Sequence, residues 1–181
     1  MKNCFYRVIV IAFALAVSSA ALAYTFDGKD VKVEYWSGTG SNEAICVIDF
    51  GPQSFAFGHR WDGVATGMDM IRAIDDAGSL DLVLQNFGWG LFVDGIIYNG
   101  YSRIGYDGGE NWWHYWVSSD GDNWTSPWDY GASGRILSNG DWDGWGYGFA
   151  SAPDIPLVPE PSSLLAILSL VGAGVSIKKK R

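Results

Sequence analysis

The chain has 181 residues, a formal net charge of −8 at pH 7 and a hydrophobic share of 48%. That acidity argues against nucleic acid and anionic lipid as partners, and the apolar share excludes a disordered chain. Ten Trp and 24 Gly point to a sheet-rich domain with many tight turns and large buried rings.

At the amino end, Lys2 and Arg7 precede an apolar stretch over residues 8–17, and Ala21-Leu22-Ala23 supplies the small-x-small pattern of a signal-peptidase site. The pattern predicts a secretory leader over residues 1–23, cut after Ala23 so that Tyr24 leads the mature chain. Cys4 falls in that leader, which leaves Cys46 alone and an intramolecular disulfide impossible. Residues 24–152 make up one extracytoplasmic domain. Its basic residues are Lys29, Lys32, Arg60, Arg72, Arg103 and Arg135, against nearly all of the chain's twenty acids.

Within the domain, Ala44-Ile45-Cys46-Val47-Ile48 reads as a buried strand over 44–50, with Cys46 an inert core thiol. A half-buried strand follows at 54–58. Residues 66–77 predict the single helix: Thr66 caps it, Asp69 lies in its first turn, Met70, Ile71 and Ile74 share a face, and Gly78 stops it. Strands come next at 80–84 and 91–98, the second closed by the turn residues Asn99-Gly100. Residues 111–118 alternate with period two. Trp112, His114 and Trp116 face one way, and Trp113, Tyr115 and Val117 the other. His114 prefers solvent, so Trp113 and Tyr115 are expected inside. A turn at 119–122, the pair Ile136-Leu137 and a strand at 142–149 complete the domain, and Pro153, Pro156 and Pro159 mark a stalk over 153–161. The expected class is α+β, mainly β-sheet with one helix lying across it, flanked by a signal peptide and a carboxy-terminal transmembrane helix.

Candidate chemistry is sparse. His59 and His114 share no metal-ligand spacing with each other or with Cys46, and no Gly-x-Ser-x-Gly elbow occurs. Asn139-Gly140-Asp141-Trp142-Asp143-Gly144 reproduces the first six positions of a calcium loop, which makes Asn139, Asp141 and Asp143 candidate ligands. Position twelve is Ala150 where the full loop has a bidentate Glu. Asp and Asn also build such turns without metal, by bonding their own backbone. Trp112, Trp116, Trp124 and Trp128 lie among Asp, Asn and Gly, as do Trp142 and Trp145. Exposed indole faces there would stack on sugar rings, with carboxylates and amides taking the hydroxyl hydrogens. Asp75, Asp76, Asp94, Asp107 and Glu110 offer carboxylates for a hydrolytic pair.

The tail carries the most specific pattern. Val158-Pro159-Glu160-Pro161-Ser162 leads into an uncharged run over 162–177, which ends in Lys178-Lys179-Lys180-Arg181. At about 1.5 Å per residue that run reaches roughly 24 Å, and snorkelling flanks extend it toward a hydrocarbon core of about 30 Å. The terminal cations at 178–181 hold the end on the cytoplasmic side. Pro159 and Pro161 keep the approach extended, so an enzyme at the membrane surface can grip it. The arrangement resembles the PEP-CTERM sorting signal of Gram-negative bacteria. That resemblance implies recognition of Pro159, Glu160 and Pro161 by exosortase, and delivery through the inner membrane to the envelope or extracellular matrix.

A second resemblance covers residues 44–149. It rests on the order of the helix, Phe92-Val93-Asp94-Gly95-Ile96, Trp112-Trp113-His114-Tyr115-Trp116-Val117, Gly131-Ala132-Ser133 and Leu137-Ser138-Asn139-Gly140-Asp141. This order is similar to the domain related to the carboxy-terminal half of transcobalamin, a β-grasp-like module, and implies ligand or partner binding without catalysis. The sequence reading is therefore an exported, surface-displayed binding module with extracellular polysaccharide, a cation or a protein as its ligand. The alternative is a secreted carbohydrate-active hydrolase using a carboxylate pair.

Overall fold

The structure is a computed structural model that describes residues 23–88, 90–148 and 151–159. Ala21 with the rest of the leader, Glu160, Pro161 and the apolar tail lie outside the described residues, as does Ala150. No helix among the described residues is long and apolar enough to cross a membrane.

Among the described residues the domain is mostly β-sheet with one short helix, in two sheets. Six strands, β1 (Ala23–Phe26), β2 (Lys29–Gly38), β3 (Asn42–Asp49), β4 (Ser54–Trp61), β8 (Trp113–Ser118) and β9 (Trp142–Tyr147), form a mixed sheet in the order β1-β2-β4-β3-β9-β8. The pairs β2/β4 and β3/β9 are parallel, and the other neighbours antiparallel. The helix α1 (Gly67–Ala77) and a three-stranded antiparallel sheet of β5 (Asp81–Asn86), β6 (Leu91–Tyr98) and β7 (Tyr101–Ile104) cover one face.

The unbroken apolar run of β3 follows from its place between two cores. Ala44, Cys46 and Ile48 point into the larger core, with Met70, Ile71 and Ile74 of α1, Val93 and Ile96 of β6, and Phe57, Trp113 and Trp145. Ile45 and Val47 point the other way, into a smaller core with Phe26, Val31, Ala56 and Trp142. Burial pushes the Cys46 thiol well above its ordinary range, in keeping with an inert core residue.

The helix begins with a capping box. Asp69 N donates to Thr66 Oγ1 at 3.1 Å, and Thr66 N donates to Asp69 Oδ2 at 2.9 Å. Its end has a different cause from the expected glycine stop. Gly78 has φ −149°, outside the left-handed region, and is small because the Tyr35 ring lies where a Cβ would stand. The Tyr35 hydroxyl donates to Ile74 O at 2.9 Å and accepts from Leu80 N at 3.3 Å, so a side chain of β2 caps the helix.

The structure differs from the sequence reading in three respects. It adds the strands β1, β2 and β7. Trp113 and Tyr115 do face the larger core, but His114 on the opposite row is buried too, only 8% exposed. Its ring sits 3.9 Å from that of Trp112, and its Nε2 lies 3.2 Å from Glu110 O. Finally, the described part of the proline-rich stalk is docked. Pro153 packs on Gly144, Asp154 N donates to Asp49 Oδ2 at 2.9 Å, and Ile155 joins the smaller core. Lys32 N then donates to Pro156 O and Val158 N to Asp30 O, both at 2.8 Å. Proline cannot donate to a ladder, so Pro156 takes part through its carbonyl.

Candidate functional site: an aromatic groove around Trp112

Two cavities adjoin along the start of β8. One, of about 330 Å³, lies between Leu91 and Phe92 of β6, Trp113 and Tyr115 of β8, and the loop from Ser126 to Ala132. The other, of about 230 Å³, is lined by Phe92, Asp94, Gly105, Tyr106, Trp112 and Trp113. Phe92, Trp112 and Trp113 line both, so the two cavities share an aromatic wall and together form the groove around Trp112. The surrounding rings are open to solvent: Trp128 is 93% exposed, Tyr106 69%, Tyr130 39% and Trp112 36%.

Local hydrogen bonding sets these rings. Trp112 leaves a glycine turn in which Asp107 N donates to Asn111 O at 3.0 Å and Asn111 N to Gly108 O at 3.1 Å. The loop that carries Trp128 and Tyr130 is pinned at both ends. Thr125 and Val117 exchange backbone hydrogen bonds at 2.9 Å. At the far end, Met68 N donates to Ala132 O and Gly67 N to Arg135 O. The first turn of α1 thereby spends its free amides on the groove loop.

A charge cluster fastens the same loop from below. Arg135 Nη2 lies 2.8 Å from Asp141 Oδ2, and its Nε lies 3.6 Å from Asp143 Oδ1. The Tyr115 hydroxyl, at the floor of the larger cavity, donates to Asp143 Oδ2 at 2.6 Å. Burial pushes Asp143 up to about 6, against the opposing pull of Tyr115 and Arg135. Burial, then the Asp143 charge, hold the Tyr115 hydroxyl far above the ordinary phenol range. Asp143 Oδ1 and Arg135 Nε make no hydrogen bond, which leaves the ion pair close but imperfect.

Of the four tryptophans singled out from sequence, the fold brings Trp112 and Trp128 to the groove. Trp116 lies on the opposite face of β8, half-buried. Trp124 packs toward Trp142 in the smaller core, and its Nε1 donates to Gly121 O at 3.1 Å. Phe92, Tyr106 and Tyr130 were missed. The signal for Tyr106 was an aromatic set among Gly105, Gly108 and Gly109, a composition that leaves a ring nothing to pack against.

Each residue proposed for calcium has a protein partner. Asn139 Oδ1 accepts from Glu43 N at 2.9 Å, Asp141 Oδ2 accepts from Ser138 N at 2.7 Å, and the Arg135 guanidinium pairs with the carboxylates of Asp141 and Asp143. Among the described residues no group of three His, Cys, Asp or Glu could hold a metal ion. The acidic turn at 120–123 is a self-bonded one: Asp120 Oδ1 accepts from Asp122 N at 2.9 Å and Asn123 N at 2.8 Å. Those bonds hold the Asp120 carboxyl well below its ordinary value. Among the carboxylates considered for hydrolysis, Asp94 lines the smaller cavity, whereas Asp75 Oδ1 accepts from Leu82 N at 3.1 Å. Asp129 lines the larger cavity. Ala23 opens β1, and Pro159 stands exposed one residue beyond the last docked amide, that of Val158.

No family model, curated protein or solved structure matches the chain.

Proposed function

We propose that this chain is an exported bacterial envelope or extracellular-matrix protein. Signal peptidase removes its leader at Ala23. Its apolar tail holds it in the inner membrane while exosortase acts at Pro159-Glu160-Pro161, and its domain is then displayed as a non-catalytic module for extracellular polysaccharide. The sorting part rests on the order of box, apolar run and basic end in the sequence. A single helix across a mixed sheet is compatible with the β-grasp-like reading of the module.

The observation that carries the binding part is the groove itself. Trp112 and Trp128, from separate segments, line one concavity, and Trp128 stands almost fully open to solvent. Sugar rings present apolar C–H faces that stack on indole, and a non-catalytic site needs only such platforms and a few polar rims. The test is co-sedimentation of the full chain with insoluble polysaccharide from its host's matrix. The wild-type protein should pellet and Trp128→Ala should stay in solution; equal pelleting of the two would remove the groove from the account.

A further inference from the structure

The groove has a charge sign. Asp94 lines its smaller cavity and Asp129 its larger one, and among the described residues no Lys or Arg lines either. Neighbouring bases are engaged elsewhere: Arg135 is turned inward on Asp141 and Asp143, and the Arg103 guanidinium lies 5.6 Å from the centre of the Tyr147 ring. The chain as a whole is strongly acidic.

Building on the polysaccharide reading above, we propose that the ligand is an amino-sugar polymer with free ammonium groups, bound with consecutive rings in the two cavities on either side of Trp112. Two adjoining depressions that share Phe92, Trp112 and Trp113 suit a chain better than an isolated small molecule. Each ring stacks an apolar face on indole. Its ammonium gains from the negative π-face and from the two acidic residues among the groove lining. A uronate polymer meets those carboxylates with like charge. An N-acetylated polymer keeps the stacking and loses the charge. The two carboxylates therefore act as specificity-determining groups, and the tryptophans as the platform.

The experiment is a titration of intrinsic Trp fluorescence of the full chain in neutral detergent. The probes are hexamers of β-1,4-linked glucosamine, of its N-acetylated counterpart and of a β-1,4-linked uronate. The amino hexamer should bind about tenfold tighter than the acetylated one, and the difference should shrink at high salt. Asp94→Asn should cut that preference about threefold. Trp128→Ala, at an open position that bears no packing load, should weaken both. Equal binding of amino and acetylated hexamers, still lost in Trp128→Ala, would overturn the amino-sugar assignment and leave the groove reading standing. Preference for the uronate would overturn it as well. Absence of binding by all three would overturn the assignment and the groove reading together.

Discussion

The Tyr115 hydroxyl donates to the buried Asp143 carboxylate at 2.6 Å, and this bond joins the floor of the aromatic groove to the charge cluster under the first turn of α1. Asp143 faces Arg135 with its other oxygen, and Arg135 closes the loop that presents Trp128 and Tyr130. The binding surface thus rests on a buried polar network of β8, β9 and that loop. Such networks are rigid when complete and costly when one member is lost.

That cost has a pH dependence. Asp143 sits near 6 in the folded chain against an ordinary 3.8, so the folded state holds this proton more tightly. Its contribution to stability is full below 3.8 and is lost as pH rises through about 6, a difference of about 3 kcal/mol to order of magnitude. Asp143→Asn should abolish this component. Urea midpoints of wild type and variant, compared between pH 4 and pH 7, should diverge as the wild type weakens. Parallel curves would mean that Asp143 titrates as an ordinary carboxyl.

Arg135→Met keeps the stem and removes the guanidinium. Because Arg135 retains some exposure, the expected loss is about 2 kcal/mol, short of that for a fully buried pair. Hydrogen exchange should report where it falls: amides around 126–135 should lose protection while those of β3 keep theirs. Uniform loss across both would show that Arg135 supports the whole sheet and not this loop.

Trp124 and Trp128 are four residues apart and should behave oppositely. Trp124→Ala empties part of the smaller core and should cost about 3 kcal/mol without changing affinity per folded molecule. Trp128→Ala should change stability by less than about 0.5 kcal/mol and weaken polysaccharide binding. Thermal unfolding and binding run side by side give the comparison, and a large loss of stability in Trp128→Ala would contradict its placement.

Glu160→Ala and Pro161→Ala act on the tail alone. Export should continue in both and processing should fail, with unprocessed chain accumulating in the inner membrane. Normal maturation of both would reduce the tail to a plain anchor.

The parts of the fold legible in the sequence are those where one local signal suffices. β3 is an apolar run because it is buried on both faces, and α1 announces itself through Thr66, Asp69 and the spacing of Met70, Ile71 and Ile74. β2 is legible too: Val31-Lys32-Val33-Glu34-Tyr35 alternates as a strand should, with charges that mask its buried row. β7 follows from Asn99 and Gly100, both at positive φ, since such a turn needs a returning strand. Residue type alone sends His114 to solvent, whereas a neighbouring ring and a carbonyl satisfy it in the interior. The docked run 153–158 escaped because prolines look the same in a linker and along a sheet edge. Only tertiary structure separates Trp128 from Trp124, and it alone brings Trp128 and Tyr130 of the 126–132 loop beside Phe92 and Trp112.

Everything proposed for the groove requires a domain delivered outside the cell through its tail. The most direct measurement is the mass of the carboxy-terminal peptide of the native protein, recovered from its host's envelope and medium. The account predicts a terminus between residues 158 and 162, just beyond the Val158 amide that the domain holds. An intact end at Arg181, found only with the inner membrane, would contradict it.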